Sequence, residues 1–254
     1  MPRLSVAIIA FNEEANLAAC LRSVAWADEI VVVDHGSTDR TREIARTGGA
    51  RVVETPDWPG FGAQKNRAID ACSGDWILAL DADERVEDPL RAEIEQAIAR
   101  ADRDVYEMPR RSTYCGRFMR HGGWWPDYVA RLFRRGSARF SSARVHERLV
   151  TERRVGRLTA PLTHFSFRSM DQVIEKMNRY SSDSARTLVE QGRTPGLATA
   201  IGHGLAAFVR TYLLRLGFLD GRHGFLLAVS NAEGSYYRYV KAMLAAEPRR
   251  DDIE

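Results

Sequence analysis

Along the first hundred residues, short unbroken apolar runs alternate with stretches in which apolar residues recur every three or four positions. Leu4-Ser5-Val6-Ala7-Ile8-Ile9-Ala10-Phe11, Glu29-Ile30-Val31-Val32-Val33-Asp34 and Trp76-Ile77-Leu78-Ala79-Leu80 are of strand length. Their continuous hydrophobicity predicts strands buried on both faces. Arg51-Val52-Val53-Glu54 predicts a shorter strand. Leu17, Cys20, Leu21 and Val24 sit at helical spacing and predict a helix over 14–25. A second helix is predicted over 40–47, where Thr38 or Asp39 can cap and Gly48-Gly49 terminates, and a third over 63–71. Residues 88–100 carry Leu90, Ile94, Ala97 and Ile98 on one helical face, with Pro89 in the first turn, and 105–109 reads as a further strand.

This alternation predicts an α/β fold with a mostly parallel sheet and helices on both faces, and ligands in such sheets bind beyond the carboxyl ends of the strands. Three predicted strand ends are polar: Asn12-Glu13, Asp34 and Asp81-Ala82-Asp83. Strand side chains alternate faces, so Asp81 and Asp83 point the same way if the extended form continues. Two carboxylates at the mouth of a sheet suit Mg²⁺ or Mn²⁺ shared with substrate phosphates. The same residues could instead cap a turn and open a helix. No G-x-G-x-x-G follows the first strand and no G-x-x-x-x-G-K-[S/T] occurs, so a metal would have to do the work of a glycine-rich phosphate cradle.

Charge sharpens this picture. The 37 basic and 34 acidic residues leave a formal charge of +3, too small to imply a nucleic-acid partner. The distribution is uneven: residues 103–157 hold 14 arginines against five acids, which suits anionic ligands or a solvated basic face. The 254 residues fit one large domain, or one domain and an extension. The three cysteines form no C-x-x-C pair, and a reducing compartment is the simpler expectation. The apolar run at 6–11 is too short for a secretory leader, and without 18 consecutive apolar residues no spanning helix is expected.

Tyr114, Trp124 and Trp125 stand beside glycine-rich turns, where they could stack on a sugar or cover a core edge. Val145-His146-Glu147 offers an imidazole and a carboxylate, the groups from which a general base is drawn. Ser169 and Gln172 form a capping-box pattern opening a helix that runs to 191. Residues 197–219 are apolar but interrupted by Gly202, His203, Gly204, Arg210 and Arg215. Spanning would bury those charges, so a helix lying in the membrane interface is the better reading, with packing on protein as the alternative.

Four linked motifs carry a resemblance. Phe11-Asn12-Glu13-Glu14, Val31-Val32-Val33-Asp34-His35-Gly36-Ser37-Thr38-Asp39, Gln64-Lys65-Asn66-Arg67-Ala68 and Gly74-Asp75-Trp76-Ile77-Leu78-Ala79-Leu80-Asp81-Ala82-Asp83-Glu84 resemble an inverting family 2 glycosyltransferase of the GT-A fold. The later chain is similar to lipopolysaccharide core glycosyltransferases of the WaaE/KdtX type. That similarity rests on Trp124-Trp125-Pro126-Asp127, Arg131-Leu132-Phe133-Arg134-Arg135, Val145-His146-Glu147 and residues 217–225. His35 departs from the family, which more often has a small or acidic residue there. The resemblance implies that Asp34 hydrogen-bonds a nucleobase, with Asn12 or Glu13 near the nucleoside and Lys65 near base or phosphates. It implies that Asp81 faces ribose and metal and that Asp83 ligates the metal. Glu147 would be the general base with His146 as partner or metal ligand, and Asp127 the runner-up. Arg131 and Arg134 would flank the diphosphate or the acceptor.

These readings converge on a GT-A-type domain over 1–168, with a nucleotide-sugar half at 1–105 and an acceptor half at 106–168. A helical extension over 169–254 would touch the membrane. The expected function is metal-dependent inverting transfer of a hexose from UDP-glucose to a lipopolysaccharide inner core or related glycolipid, with Mg²⁺ or Mn²⁺ as cofactor. The expected place is the cytoplasmic surface of the inner membrane, as a peripheral protein, with homo-oligomers left open. One rival is a nucleotidyltransferase, which would need a Gly/Arg/Lys-rich phosphate loop where Phe11-Asn12-Glu13-Glu14 stands. The other is a non-catalytic nucleotide-binding or membrane-scaffold protein.

Overall fold

A computed structural model describes residues 2–141 and 148–246. In chain order the elements are β1 (Leu4–Ala10), α1 (Leu17–Ser23), β2 (Glu29–Asp34), α2 (Thr41–Thr47), β3 (Arg51–Glu54), α3 (Phe61–Ala71), β4 (Trp76–Asp81), β5 (Glu84–Arg85) and α4 (Asp88–Arg100). There follow β6 (Val105–Tyr114), β7 (Arg117–Phe118), β8 (Asp127–Arg134), β9 (Arg139–Phe140), β10 (Leu149–Val150), β11 (Val155–Arg157) and β12 (Leu162–Phe167). The last helices are α5 (Met170–Glu190), α6 (Leu197–Val209) and α7 (Gly221–Ala246). The chain divides into two compact units, Met1–Arg111 with Pro126–Phe165 and Ser112–Trp125 with Ser166–Glu254.

The first unit is built on the apolar runs. Strands β3, β2, β1 and β4 pair in parallel in that order, and the sheet continues through β8, β6, β12 and β5. Strand β8 is antiparallel to both β4 and β6. The unbroken hydrophobicity of the central strands is explained by helices on both faces. Val6, Ile8, Ala10, Val32, Leu78 and Leu80 pack with α1, α2 and α4, through Leu17, Leu21, Ala45, Leu90 and Ile94. The alternate residues Ala7, Val31, Val33, Ile77 and Ala79 pack with Ala68 and Ile69 of α3. Each valine, leucine or isoleucine among them contributes roughly 2 kcal/mol by leaving water and each alanine less than half of that, so the strand ends hang from a heavily buried part of the unit.

The first predicted helix is shorter than its pattern. Residues 14–16 form a turn, closed by the Asn16 and Leu17 N–H groups on the Glu13 carbonyl, both at 2.9 Å, and α1 begins only at Leu17. The strand predicted at 105–109 runs on to Tyr114.

In the second unit, Ser169 caps α5, its hydroxyl accepting from the Gln172 N–H; the Gln172 side chain reaches one residue beyond the reciprocal bond of a capping box and accepts from the Arg168 N–H. Helix α6 runs into a π-helical turn at Arg210–Leu214, a 3₁₀ turn at Gly217–Asp220 and then α7. Ala185 and Leu188 of α5 and Ala200 of α6 are buried with Tyr239 and Ala242 of α7. Residues 112–125, although β6 and β7 pair within them, fall in the second compact unit, where Tyr114 and Met119 are buried with Val173 and Leu227. Trp124 lies edge-on to Tyr114 at 5.7 Å and packs on Phe167, so of its two readings the core cover is the one found. The stretch Leu197–Leu214 is long and apolar enough to cross a membrane by length and composition, and 17% of it is buried.

Candidate active site

The carboxyl ends of β2, β1 and β4 lie side by side, with Ala10 opposite Asp34 and Ile9 opposite Asp81. At the first two ends a hydrogen-bonded loop platform forms. Asn12 adopts φ +53° and donates its backbone N–H to Ser37 Oγ at 2.9 Å, while its Oδ1 accepts from the Thr38 N–H at 2.9 Å. The Glu13 N–H donates to Thr41 Oγ1 at 2.7 Å, and the Glu13 carboxylate accepts from Asn16 at 2.8 Å. Asp34 is fully buried and accepts from the Ser37 backbone N–H at 3.0 Å and from the Ser37 hydroxyl. With no exposed surface, its carboxylate shapes the loop in this structure; the direct nucleobase contact expected of it is not open here. What the platform exposes is aromatic. Phe11 and Trp58 flank His35 at ring separations of 5.5 and 5.1 Å, and Trp58 meets Phe61 edge-on.

At the end of β4 a chain of alternating charge begins. Lys65, on α3, reaches Asp81 Oδ1 at 2.8 Å. Arg131, on β8, donates through one terminal nitrogen to Asp81 Oδ2 at 2.5 Å and to Glu84 Oε1 at 2.7 Å. Glu84 is fully buried; its other oxygen accepts from the Asp81 N–H at 2.9 Å. Arg110 lies 3.6 Å from Glu84 and donates twice to Asp127 Oδ2, at 3.0 and 2.7 Å. Three carboxylates and three cations thus balance. Lys65 and Arg131 are both less than 10% exposed, so burial makes the balance necessary: an isolated buried charge would cost several kcal/mol.

Burial alone would raise the Asp81 carboxyl, but the Arg131 and Lys65 charges outweigh it and hold it well below the usual carboxylate range. Burial would likewise lower Arg131, and the Asp81 and Glu84 carboxylates raise it instead. A carboxyl depressed by folding adds stability above its unfolded value, near 4, which is lost as pH falls through the folded value. Asp81→Asn should therefore cost about 2 kcal/mol at neutral pH. The gap from wild type should narrow steadily below about pH 4 in urea titrations. A gap independent of pH would remove the ion pair as its cause.

Asp83 lies apart from this chain and meets a residue that sequence reasoning missed. His164 Nε2, on β12, is 3.3 Å from Asp83 Oδ2, and the Phe165 N–H donates to the Asp83 carbonyl at 2.9 Å. His164 stands opposite Glu84 in the β12–β5 ladder. Among the described residues no group of three metal-ligating side chains occurs. The Asp83 carboxylate suits Mg²⁺ or Mn²⁺ completed by water and phosphate oxygens; the imidazole beside it suits the softer Mn²⁺ better than Mg²⁺, which prefers oxygen alone. Asp81, expected as the second ligand, has its oxygens engaged by Lys65 and Arg131.

The structure therefore brings together Lys65, Asp81, Arg131 and Asp127, and adds Glu84, Arg110 and His164. It separates Arg134: in the antiparallel ladder Arg134 stands opposite Trp76, at the start of β4, five residues and roughly 16 Å of strand from Asp81. There it pairs with Asp104 at 3.2 Å, so it is not placed to flank a ligand at the strand ends. His146 and Glu147 lie outside the described residues.

Comparison with known proteins supplies the class. Glycosyl transferase family 2 matches residues 5–150. The chain is 35% identical to the lipopolysaccharide core biosynthesis glycosyltransferase LpsC of Rhizobium meliloti (strain 1021), covering 98% of this chain and 96% of that one. It is 38% identical over 92 residues to the glucosyl-3-phosphoglycerate synthase of Mycobacterium tuberculosis, 32% of this chain and 28% of that one. A crystal structure of the latter enzyme with Mn²⁺, uridine diphosphate and glucosyl-3-phosphoglycerate aligns at a TM-score of 0.37 and 30% identity, over 45% of each chain. A match over more than half of the sequence and a relative similar from end to end agree with the strand-end geometry: the chain belongs to glycosyl transferase family 2 and is a glycosyltransferase.

Proposed function

We propose that this enzyme performs metal-dependent inverting transfer of a hexose, glucose in our reading, from UDP-glucose to a lipopolysaccharide inner core or related glycolipid. The observation that carries the proposal is the juxtaposition, at the end of β4, of the Asp83–His164 pair with the Lys65–Asp81–Arg131 charge cluster. The name of the Rhizobium relative supports the acceptor class, and that of the Mycobacterium relative supports glucose. The Phe11–His35–Trp58 surface would face the nucleobase, and Asp34, Asn12 and Glu13 would hold the loop that carries it. Lys65 and Arg131 would meet the diphosphate, their charge already oriented by Asp81 and Glu84. Asp83 and His164 would hold Mg²⁺ or Mn²⁺, which when bound lowers the cost of negative charge on the leaving diphosphate. The acceptor hydroxyl attacks the anomeric carbon from the face opposite that diphosphate while a carboxylate takes its proton. Glu147 beside His146 is our choice for this base and Asp127 the second. A glycolipid acceptor places the enzyme as a peripheral protein on the cytoplasmic surface of the inner membrane.

The test is UDP release from a panel of nucleotide sugars, with and without Mn²⁺, on a membrane glycolipid extract, with the anomeric configuration of the product read by NMR. UDP-glucose should dominate, need metal, and give the β-linked product from the α-linked donor. Nucleotide binding with no turnover on any donor would sink the proposal in favour of a binding module.

A further inference from the structure

The second unit carries an apolar surface that its own fold leaves uncovered. Along α6 and the π-helical turn, Leu205 is 64% exposed, Val209 42%, Leu213 51% and Leu214 75%. Leu216, Phe218 and Leu219 continue the surface into the 3₁₀ turn, and Phe225 and Leu226 into the start of α7. The 18 residues of Leu197–Leu214 span roughly 27 Å of helix, and exposed apolar residues recur along that whole length. A surface of this size marks an interaction site.

Charge selects the occupant. Between residues 197 and 226 the sequence holds Arg210, Arg215 and Arg222, and its single acid is Asp220. Asp220 is buried, accepting from the backbone N–H groups of Arg120 and His121 at 3.1 and 2.8 Å. The three arginines are exposed. Exposed leucine and phenylalanine framed by cations alone match a bilayer with anionic headgroups. Tyr212, set among Phe208, Phe218 and Phe225, adds an aromatic with a polar tip, suited to the headgroup boundary.

The other face of α6 decides between lying and spanning. Ala200, Gly204 and Thr211 are buried. Gly204 is where α6 approaches Tyr236 of α7, and Thr211 accepts from Asn231 of α7 at 3.1 Å. A spanning α6 would carry with it Glu233, Arg238 and Lys241 of that helix, each costly in hydrocarbon. We infer that the α6–3₁₀–α7 face docks in the plane of an anionic lipid surface, with leucines in the acyl boundary and Arg210, Arg215 and Arg222 at headgroup level. This deepens the glycolipid reading above.

Flotation of the full chain with phosphatidylcholine vesicles, with and without phosphatidylglycerol, at low and high salt, tests it. Wild type should float with the anionic vesicles and lose affinity in salt. Arg210→Gln and Arg222→Gln should each weaken binding about fivefold. Leu205→Glu with Leu214→Glu should abolish binding while UDP release in detergent solution is unchanged. Circular dichroism checks that the variants are folded. No binding to vesicles, together with a concentration-dependent dimer in light scattering that the glutamate pair dissolves, would assign the face to a second copy and overturn the inference. Resistance to alkaline carbonate extraction from membranes would overturn it in favour of spanning. Vesicle binding without sugar transfer would leave this surface standing and remove the proposed function instead.

Discussion

Arg131→Met should destabilise the first unit by about 3–5 kcal/mol, the loss expected when one partner of a buried ion pair is removed. The guanidinium is 5% exposed and holds two carboxylates at once through a single nitrogen. Methionine fills the volume but leaves Glu84, fully buried, with the Asp81 N–H at 2.9 Å and Arg110 at 3.6 Å. Asp81 would keep Lys65 alone. The urea midpoint should fall with an unchanged slope, since the exposed surface of the unfolded chain is the same. Arg131→Lys keeps the charge but not the planar, many-donor head, so it should recover only part of the loss. Adding Glu84→Gln to Arg131→Met should recover more, because the uncompensated carboxylate is then gone, and the double-mutant cycle measures the coupling. A single-variant loss below about 0.5 kcal/mol would place this pair with surface ion pairs and remove the preorganised cation from the mechanism.

Much of this fold is written in local patterns. Runs such as Val31-Val32-Val33 announce strands covered on both faces, and the helix over 88–100 is found between its predicted ends. What failed was set by partners distant in sequence. The segment before α1 is held from outside itself, the N–H groups of Asn12, Glu13 and Glu14 going to Ser37, Thr41 and Asp39, so the pattern within 14–25 does not locate the start of the helix. Strand β8 alternates poorly because its pairing with β6 shifts register between Leu132–Tyr106 and Ala130–Glu107: Arg131, mid-strand at that shift, enters the charge cluster, and Arg134, at the strand's end, pairs with Asp104. Strand alternation puts Arg131 and Arg134 on opposite faces, but only the ladders show which strand end each one reaches.

The same limit explains the site. Asp81 and Asp83 were legible because a strand ended in them. Their different surroundings were not: one carboxylate holds two cations and the other faces an imidazole 81 positions on. Glu84 is the third acid of a short acidic run and reads as helix-opening, yet it is the most buried of the three. Its burial follows from pairing of β5 with β12, a two-residue ladder with no signature of its own. Asp34 was legible as polar but not as enclosed, because its partner, Ser37, is fixed by the turn that follows.

Asp83→Ala and His164→Ala should each weaken UDP binding at least tenfold in the presence of Mn²⁺, and hardly at all in its absence, by isothermal titration calorimetry. Loss of an outer-shell partner alone costs metal sites about 10–100-fold, and these side chains are argued to touch the ion directly. The pair is held from two sides. The Phe165 N–H fixes the Asp83 carbonyl, and the β12–β5 ladder fixes His164 opposite Glu84, so neither residue needs to travel to form the site. Asp81→Asn supplies the contrast. With its oxygens on Lys65 and Arg131, Asp81 should alter UDP affinity with and without metal to a similar degree, through the cations that it orients. If His164→Ala leaves the metal-dependent part of the affinity intact, the imidazole is a structural neighbour of Asp83 and the second ligand lies elsewhere. If Asp83→Ala and Asp81→Asn exchange their expected behaviours, the metal sits at the strand end itself, and Lys65 and Arg131 must move away from Asp81 when the donor binds.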